Sequence, residues 1–223
     1  MLEARRLYHI YREADVETVA LRGAGLTLHR STWTCLMGPS GSGKSTLVYV
    51  LAGLLQPSGG TVEVDHLDLT RLTPPERARW RRRHVGVVLQ RDNLHPLLDL
   101  ADNVALPLRL EGRPPAAISK RVSQLLEAVG LADRRRHRVG QLSGGEAQRA
   151  AIAVALAPRP EVLLADEPTG ELDEETASGV LDLLSSLRSR EGASILTVTH
   201  NPLVAERADR RLVMRDGEIL DDD

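Results

Sequence analysis

The sequence contains little of several residue types, and each scarcity excludes a class of protein. Its single cysteine excludes an internal disulfide, and the apolar neighbours of Cys35 predict a buried strand residue. The longest apolar run, Ala150 to Ala157, falls well short of the roughly 18 residues that a membrane-spanning helix needs. The N-terminal stretch also lacks the apolar segment of a secretory signal. We therefore expect a soluble, cytosolic protein, with length enough for one large domain or a core with a subdomain.

Neither sign of charge is in large excess. The chain has 29 basic and 31 acidic residues, and its formal net charge is −2. That balance argues against a nucleic-acid binder that relies on a broad basic field. Two local arginine clusters, Arg79 to Arg83 and Arg134 to Arg138, could still contact phosphate or anionic lipid. A solvated helix face or turn is the simpler interpretation of both clusters.

Lysine is almost absent, since Lys44 and Lys120 are the only lysines among the 29 basic residues. A chain that uses arginine nearly everywhere nevertheless places a lysine inside a Gly-rich loop. A narrow ammonium on a flexible stem fits between phosphates where a broad guanidinium does not. A lysine at this position therefore indicates a functional requirement and not the general composition of the chain.

Short apolar runs alternate with helical patterns along most of the chain. Strand-like runs occur at 33–38, 61–64, 85–89, 162–165 and 194–198, with helical patterns at 45–55, 146–157 and 174–187. This alternation predicts a mostly parallel sheet covered on both faces. The first thirty residues instead show short alternating segments, at 7–11, 16–21 and 26–29, which predict antiparallel strands beside the main sheet.

Residues 101–138 read as helices interrupted by glycine and proline, with no strong strand signal. We interpret them as a helical subdomain inserted between two parts of the α/β core. The chain closes with DGEILDDD, which predicts a final strand and a frayed tail.

The segment GPSGSGKST follows a predicted strand and precedes a predicted helix, which is the context that confirms a phosphate-binding loop. Its backbone N–H groups and the helix N-terminus can surround an anion. Lys44 is expected to reach the β- and γ-phosphates of a nucleotide, and the Ser45 hydroxyl to bind Mg²⁺. The predicted loop consists of Gly38, Pro39, Ser40, Gly41, Ser42, Gly43, Lys44, Ser45 and Thr46.

A pair of carboxylates ends the apolar strand EVLLADE. Asp166 emerges at the carboxyl end of the strand, where ligands bind in open α/β sheets, and can hold Mg²⁺. Glu167 would face the γ-phosphate as a base or orienter for attacking water. His200 ends the strand ILTVTH and is placed to contact the γ-phosphate. The other histidines have no metal-site spacing, and no Gly-x-Ser-x-Gly elbow with suitable partners occurs.

A second Gly-rich segment, LSGGE at Leu142 to Glu146, lies between the phosphate loop and the carboxylate strand. It resembles the signature motif of the ATP-binding-cassette ATPases, and the resemblance covers essentially the whole chain. Other marks of that family follow in order: Gln90 after a strand, Glu171-Leu-Asp173, and His200. GPSGSGKSTL, ADEPTGELD and LVMRDGEI are similar to the group that serves lipoprotein release, macrolide export and cell division.

The resemblance implies a fold and a set of roles. The implied fold is α/β: a P-loop NTPase core with a mostly parallel sheet, an N-terminal antiparallel β subdomain and an inserted helical subdomain. One domain would span residues 1–223, with the core in 1–90 and 160–223 and the helical subdomain at about 91–159. Tyr11 would stack on adenine, with Tyr8 as the competing candidate. Gln90 would serve catalysis and bind metal, and Asp173 would help bind nucleotide.

The family geometry implies a head-to-tail homodimer that encloses two ATP molecules with Mg²⁺. Ser143, Gly144, Gly145 and Glu146 would complete a site begun by the phosphate loop of the partner copy. The chain would act at the cytoplasmic face of the inner membrane and drive a separate permease that contacts a groove near the loop from Gln90 to Pro96. The stretch QRDNLHP lacks the usual aromatic, and Glu171 replaces a common asparagine, so the permease surface differs from the family pattern.

Two other functions compete with this reading. A soluble cassette ATPase acting on nucleic acid or chromosomes usually carries a long coiled coil or zinc insertions, whereas residues 90–142 have neither heptads nor cysteine clusters. A small P-loop kinase would leave the LSGGE segment without a role. An ATP-hydrolysing transport subunit is therefore the preferred prediction.

Overall fold

The computed structural model describes residues 1–13, 16–90, 93–170 and 172–221. Their strands form two sheets. The first sheet is antiparallel, in the order β2-β1-β4-β5, and the second has the order β10-β9-β3-β8-β7-β6. In the second sheet every pairing is parallel except that of β9 with β10. The strands are β1 Leu2–Glu13, β2 Val16–Leu28, β3 Trp33–Met37, β4 Gly59–Val64, β5 Leu67–Asp68, β6 Val85–Val88, β7 Val162–Asp166, β8 Ser194–Val198, β9 Arg210–Arg215 and β10 Glu218–Asp221.

The α-helices connect these strands. They are α1 Lys44–Leu51, α2 Pro74–His84, α3 Leu100–Leu110, α4 Pro115–Ala128, α5 Gly144–Leu156, α6 Glu174–Glu191 and α7 Pro202–Arg207. Helices α3, α5, α6 and α7 begin at a capping side chain. The side chain of Asp99 caps α3 by accepting a hydrogen bond from the Asp102 N–H at 2.7 Å. Gly192 ends α6 in the left-handed conformation, the usual glycine stop. None of the helices in the described ranges is long and apolar enough to cross a membrane.

The second sheet separates two apolar cores. Along β7, Leu163 and Ala165 pack into one core and Leu164 into the other, as the alternation of side chains in a strand requires. The first core is shared by the sheet and helices α3, α4 and α5; the second lies between the sheet, α1 and the antiparallel strands. Cys35 is fully buried in β3, and burial raises the pKa of its thiol to about 11, which confirms the predicted strand position.

The α/β class and the antiparallel N-terminal part are confirmed, with two differences. The separate segments predicted at 16–21 and 26–29 form one long strand, β2, because bulges in its pairing with β1 keep both segments in one ladder. The run at 61–64 belongs to the antiparallel sheet, since β4 pairs with β1 rather than with a parallel neighbour. The helical subdomain at about 91–159 stays a prediction.

Strands β3, β7 and β8 are neighbours in the parallel sheet and end at the same edge. Their last residues, Met37, Asp166 and Val198, are followed by the predicted phosphate loop, by Glu167 and by Thr199-His200. Three segments far apart in the sequence therefore meet at one place, the edge where open α/β sheets bind ligands.

Candidate active site

The Gly-rich loop between β3 and α1 lies against the backbone of two other strands. A Cβ on Gly38 would stand 2.2 Å from the carbonyl oxygen of Met214 in β9. A Cβ on Gly43, whose φ is 101°, would stand 2.3 Å from the carbonyl oxygen of Ala20 in β2. Neither glycine leaves room for a side chain. These two positions therefore hold the loop against β9 of one sheet and β2 of the other.

Lys44 begins α1 and points back into the loop. Its Nζ donates hydrogen bonds to the carbonyl oxygens of Gly38 and Pro39, each at 2.8 Å. Burial lowers the pKa of the ammonium, while the nearby charges of Glu167 and Asp166 oppose that shift. The cation is thus held at the mouth of the loop by acceptors that an anion can replace.

Asp166 is the last residue of β7 and is 4% exposed. Burial raises its pKa; a hydrogen bond with Ser45 and the charge of Lys44 lower it, and the charge of Glu167 raises it further. Burial disfavours the charged form of this carboxylate, and a bound metal cation would stabilise it.

Glu167 has a left-handed backbone, with φ of 49°, and its N–H donates to the carbonyl oxygen of Val198 at 2.8 Å. Its carboxylate has two side-chain partners. The Thr199 hydroxyl donates to Oε2 at 2.7 Å, and Nδ1 of His200 lies 2.7 Å from Oε1. Thr199 is fully buried, whereas the His200 side chain is 74% exposed. Thr199 is therefore the buried partner of the carboxylate and His200 the solvent-exposed one.

Sequence reasoning missed Thr199, although a signal was present. Thr199 directly follows β8, the strand that pairs with β7, and precedes His200. A polar residue at that register position lies beside the carboxylates that end β7.

The residues predicted to bind metal offer oxygen donors at one edge of a cavity. The Ser45 hydroxyl, the Asp166 carboxylate and the Gln90 side chain all border it. Within the described part of the chain, no group of three or more His, Cys, Asp or Glu residues is arranged to hold a metal. Mg²⁺ fits such a site, because it prefers oxygen ligands and is usually bound through one or two carboxylates, phosphate and water.

The cavity has a volume of about 690 Å³ and gathers most of the predicted site. Predicted residues that border it are Tyr11, Gly38, Ser40, Gly41, Gly43, Lys44, Ser45, Thr46, Gln90, Gly144, Asp166, Glu167 and His200. Residues that the sequence did not single out are Thr18, Val19, Ala20, Gln148, Pro168, Gly170 and Leu172. Pro39, Ser42, Ser143, Gly145, Glu146 and Asp173 are outside this lining. Glu171, Arg91 and Asp92 lie outside the described residues.

Two tyrosines of β1, Tyr11 and Tyr8, are the candidates for stacking on adenine. Tyr11 borders the cavity, and its hydroxyl lies 3.3 Å from the Thr46 hydroxyl. Tyr8 lies elsewhere on β1, beside Gly23 and Gly59, away from the cavity lining. Of the two tyrosines Tyr11 is the one that borders the cavity, and its role at adenine stays a prediction.

The N-terminus of α5 is closed by a reciprocal pair of hydrogen bonds. Ser143 Oγ accepts from the Glu146 N–H at 3.2 Å, and Glu146 Oε2 accepts from the Ser143 N–H at 2.8 Å. These bonds, first the one from the Ser143 backbone, and the nearby Arg134 lower the pKa of Glu146. Ser143 is exposed, while Gly145 packs against Thr176 and Leu172.

Asp173 has a comparable structural task at the start of α6. Its carboxylate accepts from the Thr176 N–H at 3.0 Å and from the Thr176 hydroxyl at 2.7 Å, and these bonds lower its pKa. The roles predicted for Asp173 and Glu146 in nucleotide binding stay predictions, beside this capping role that both residues have within the chain.

The site combines a phosphate loop on a parallel sheet with the buried Asp166 and the hydrogen-bonded Glu167. These features define the class of P-loop ATPases. Comparison with known proteins narrows the class. The ABC transporter family matches residues 21–170, a span that includes the phosphate loop, the LSGGE segment and both carboxylates. The chain belongs to the ABC transporter family, and it is an ATPase.

Relatives are similar over nearly the full chain. The lipoprotein-releasing system ATP-binding protein LolD of Legionella pneumophila (strain Lens) is 39% identical over 219 residues, covering 98% of this chain and 96% of the relative. The protein of the same name from Bordetella pertussis (strain Tohama I) is 43% identical over 223 residues, covering 99% and 96%. The dimeric, post-hydrolysis structure of the ATP-binding cassette MJ0796 bound to ADP and Pi is 34% identical, with a TM-score of 0.93 and coverage of 98% and 96%.

Proposed function

We propose that two copies of this chain enclose two Mg-ATP molecules head-to-tail, hydrolyse them, and thereby drive a separate membrane permease. One observation carries the proposal. The N-terminus of α5 presents Ser143 to solvent, outside the cavity that holds the chain's own phosphate loop. Gly144 borders that cavity but Ser143 does not, and an exposed helix end of this kind suits a nucleotide that belongs to another copy.

The hydrolytic chemistry follows from the residues at the sheet edge. Lys44 exchanges its loop carbonyls for the β- and γ-phosphate oxygens when nucleotide binds. Glu167, restrained by Thr199, orients the attacking water and accepts its proton. His200 contacts the γ-phosphate, to which its exposure gives it access. Mg²⁺, when bound by Ser45, Asp166 and Gln90, neutralises phosphate charge.

The partner's half of each site is the start of α5. Gly144 and Gly145 occupy the first two helical positions, where N–H groups have no acceptor within the helix. Together with the Ser143 hydroxyl, they can grip a γ-phosphate without a cation of their own. ATP then forms part of the dimer interface, and release of the cleaved phosphate after hydrolysis removes the charge that joins the copies. The dimeric ADP and Pi complex of MJ0796 supports this arrangement.

Mixing two inactive variants tests whether the sites are shared. Glu167→Gln removes the base but leaves the α5 start intact, whereas Ser143→Arg blocks the α5 start but leaves the base intact. Each variant alone is expected to hydrolyse ATP at background rate. In a mixed dimer one of the two shared sites is complete, so an equal mixture should recover about a quarter of the wild-type rate by random pairing.

The control is a mixture of Glu167→Gln with Lys44→Ala, in which neither pairing supplies a complete phosphate loop and base. That mixture should remain inactive. A Ser143→Arg and Glu167→Gln mixture that stays as inactive as its components would mean that each chain completes its own site, and the head-to-tail dimer would have to be abandoned.

The permease is proposed to dock in a groove next to the segment that follows Gln90. This groove has a volume of about 750 Å³, and its lining includes Leu54, Leu110 and Val87 together with Arg81 and Arg82. Leu54 is 47% and Leu110 58% exposed. An apolar floor with two guanidinium groups at its side favours a partner segment that is apolar and carries a carboxylate. The groove thus gives a chemical description of the permease contact at the cytoplasmic face of the membrane.

A further inference from the structure

We propose that His9 is a positioning residue that holds the Tyr11 ring in the orientation needed to stack on adenine. The inference rests on the proposed function, because it assigns the base of the nucleotide to Tyr11. It concerns a residue on β1 that does not border the nucleotide cavity.

His9 is a buried imidazole whose place in the fold is not explained by hydrogen bonding at Nδ1. The residue is 8% exposed, and its Nδ1 is buried without a hydrogen-bond partner among the described residues. A buried polar atom without a partner destabilises a fold, and an aliphatic side chain would fill the same space without that cost. The ring must therefore be explained by what it touches.

What His9 touches is the Tyr11 ring. The two ring centroids are 4.6 Å apart, and the ring planes stand at 78° to each other. This near-perpendicular contact is one of the favoured arrangements of aromatic pairs. The tyrosine hydroxyl is held separately, 3.3 Å from the Thr46 hydroxyl on α1. With one contact at the ring and one at the hydroxyl, both torsions of the Tyr11 side chain are restrained.

A β-bulge brings this pair to the cavity. His9 pairs with Leu21, but the next residue, Ile10, pairs with Val19, so Ala20 is an extra residue in β2. The backbone at Ala20 closes on the phosphate loop at Gly43, and Ala20 itself borders the cavity. Bulges commonly redirect side chains next to functional sites. Here the bulge follows His9 directly and precedes Tyr11, which lies opposite Thr18 in the cavity wall.

A ring that is already oriented loses little rotamer freedom when a base stacks on it. Loss of the His9 ring should therefore weaken ligands that contain adenine and leave phosphate binding unchanged. A residue that only supported the fold would change both kinds of ligand together or neither.

The test compares ADP with inorganic pyrophosphate by titration calorimetry on the full chain with Mg²⁺. His9→Leu should weaken ADP binding by about two- to tenfold, the range for one aromatic contact, and leave pyrophosphate binding unchanged. His9→Phe, which keeps a ring, should bind ADP within about twofold of the wild type. Leu7→Val, a change at another buried β1 position, is the matched control and should alter neither ligand. Should His9→Leu fail to fold, His9→Gln replaces it, with the same expected loss.

Tyr11→Ala separates failure of the inference from failure of the proposed base site. If Tyr11→Ala weakens ADP selectively and His9→Leu does not, His9 has no positioning role. If His9→Leu weakens ADP and pyrophosphate equally, its role is structural and the inference is wrong. If Tyr11→Ala leaves ADP binding unchanged, the stacking assignment fails, and the role of His9 fails with it.

Discussion

Replacing Thr199 by valine removes one hydroxyl from the site without changing the shape of the side chain. That hydroxyl donates to Glu167 Oε2 at 2.7 Å and accepts from the Asn201 N–H at 3.0 Å. A hydrogen bond to a charged group contributes about 1.5–3 kcal/mol, and we expect Thr199→Val to lower the free energy of unfolding by about that amount.

We also expect an effect on catalysis, of similar size in free energy to the effect on stability. His200, the other partner of the Glu167 carboxylate, is exposed and has a second task at the γ-phosphate. Without Thr199 the carboxylate has no buried side-chain partner among those described to hold it. A displacement of about 1 Å in a catalytic group can cost about a hundredfold in rate. We therefore predict that kcat falls about 10- to 100-fold and that KM for ATP changes little.

Thr197→Val is the matched control, in β8 two residues before Thr199. The Thr197 hydroxyl is fully buried and accepts from the Trp33 indole N–H at 3.0 Å. Its loss leaves a buried donor unpaired, which costs about 1–3 kcal/mol, but it does not touch Glu167. The assays are steady-state phosphate release and equilibrium unfolding in urea. If the two variants lose similar stability and Thr199→Val keeps wild-type kcat, Thr199 does not position the base.

Three further predictions concern the base, the buried thiol and the groove. Glu167→Gln should accumulate as an ATP-bound dimer in size-exclusion chromatography with ATP and Mg²⁺, and elution as monomer alone would contradict the role of Glu167. Because burial raises the pKa of Cys35 to about 11, and the thiolate is the reactive form, iodoacetamide at about pH 8 should modify Cys35 only after unfolding. Labelling of the folded chain, read by mass spectrometry, would show that the thiol is accessible. Arg82→Glu should reduce co-purification with the membrane subunit by about tenfold, while the ATPase rate of the isolated subunit stays unchanged. Arg79→Glu, on the same helix but outside the groove lining, should have no effect on either measurement.

Much of the site was predictable because its motifs are contiguous. The phosphate loop, the Asp166-Glu167 pair and His200 are each recognisable within a few residues, and the strand before each one places it at a strand end. Parallel strands deliver their carboxyl ends to one edge, so the convergence of these three segments followed from the fold class. The buried position of Cys35 followed from its apolar neighbours in the same way.

The unpredicted features depend on pairings between distant segments. Thr199 and Glu167 are 32 residues apart, and Tyr11 and Thr46 are 35 apart. The local pattern divided β2 into two strands, because it cannot show a bulge. A bulge is a property of two paired strands and their register. The same limit applies to Ala20, which borders the cavity by its position in the bulge rather than by its chemistry.

The sequence by itself determined which groups are candidates for phosphate binding, since a Gly-rich loop with its lysine and a strand-end carboxylate pair require only neighbouring residues. Only the tertiary structure decided how those groups are held. Thr199 restrains Glu167, His9 meets Tyr11 beside a bulge, and at the start of α5 Gly144 borders the chain's own cavity while Ser143 lies outside its lining. The physical reason is that a local motif fixes backbone shape and residue chemistry, whereas side-chain contacts across strands depend on register and packing of the whole sheet.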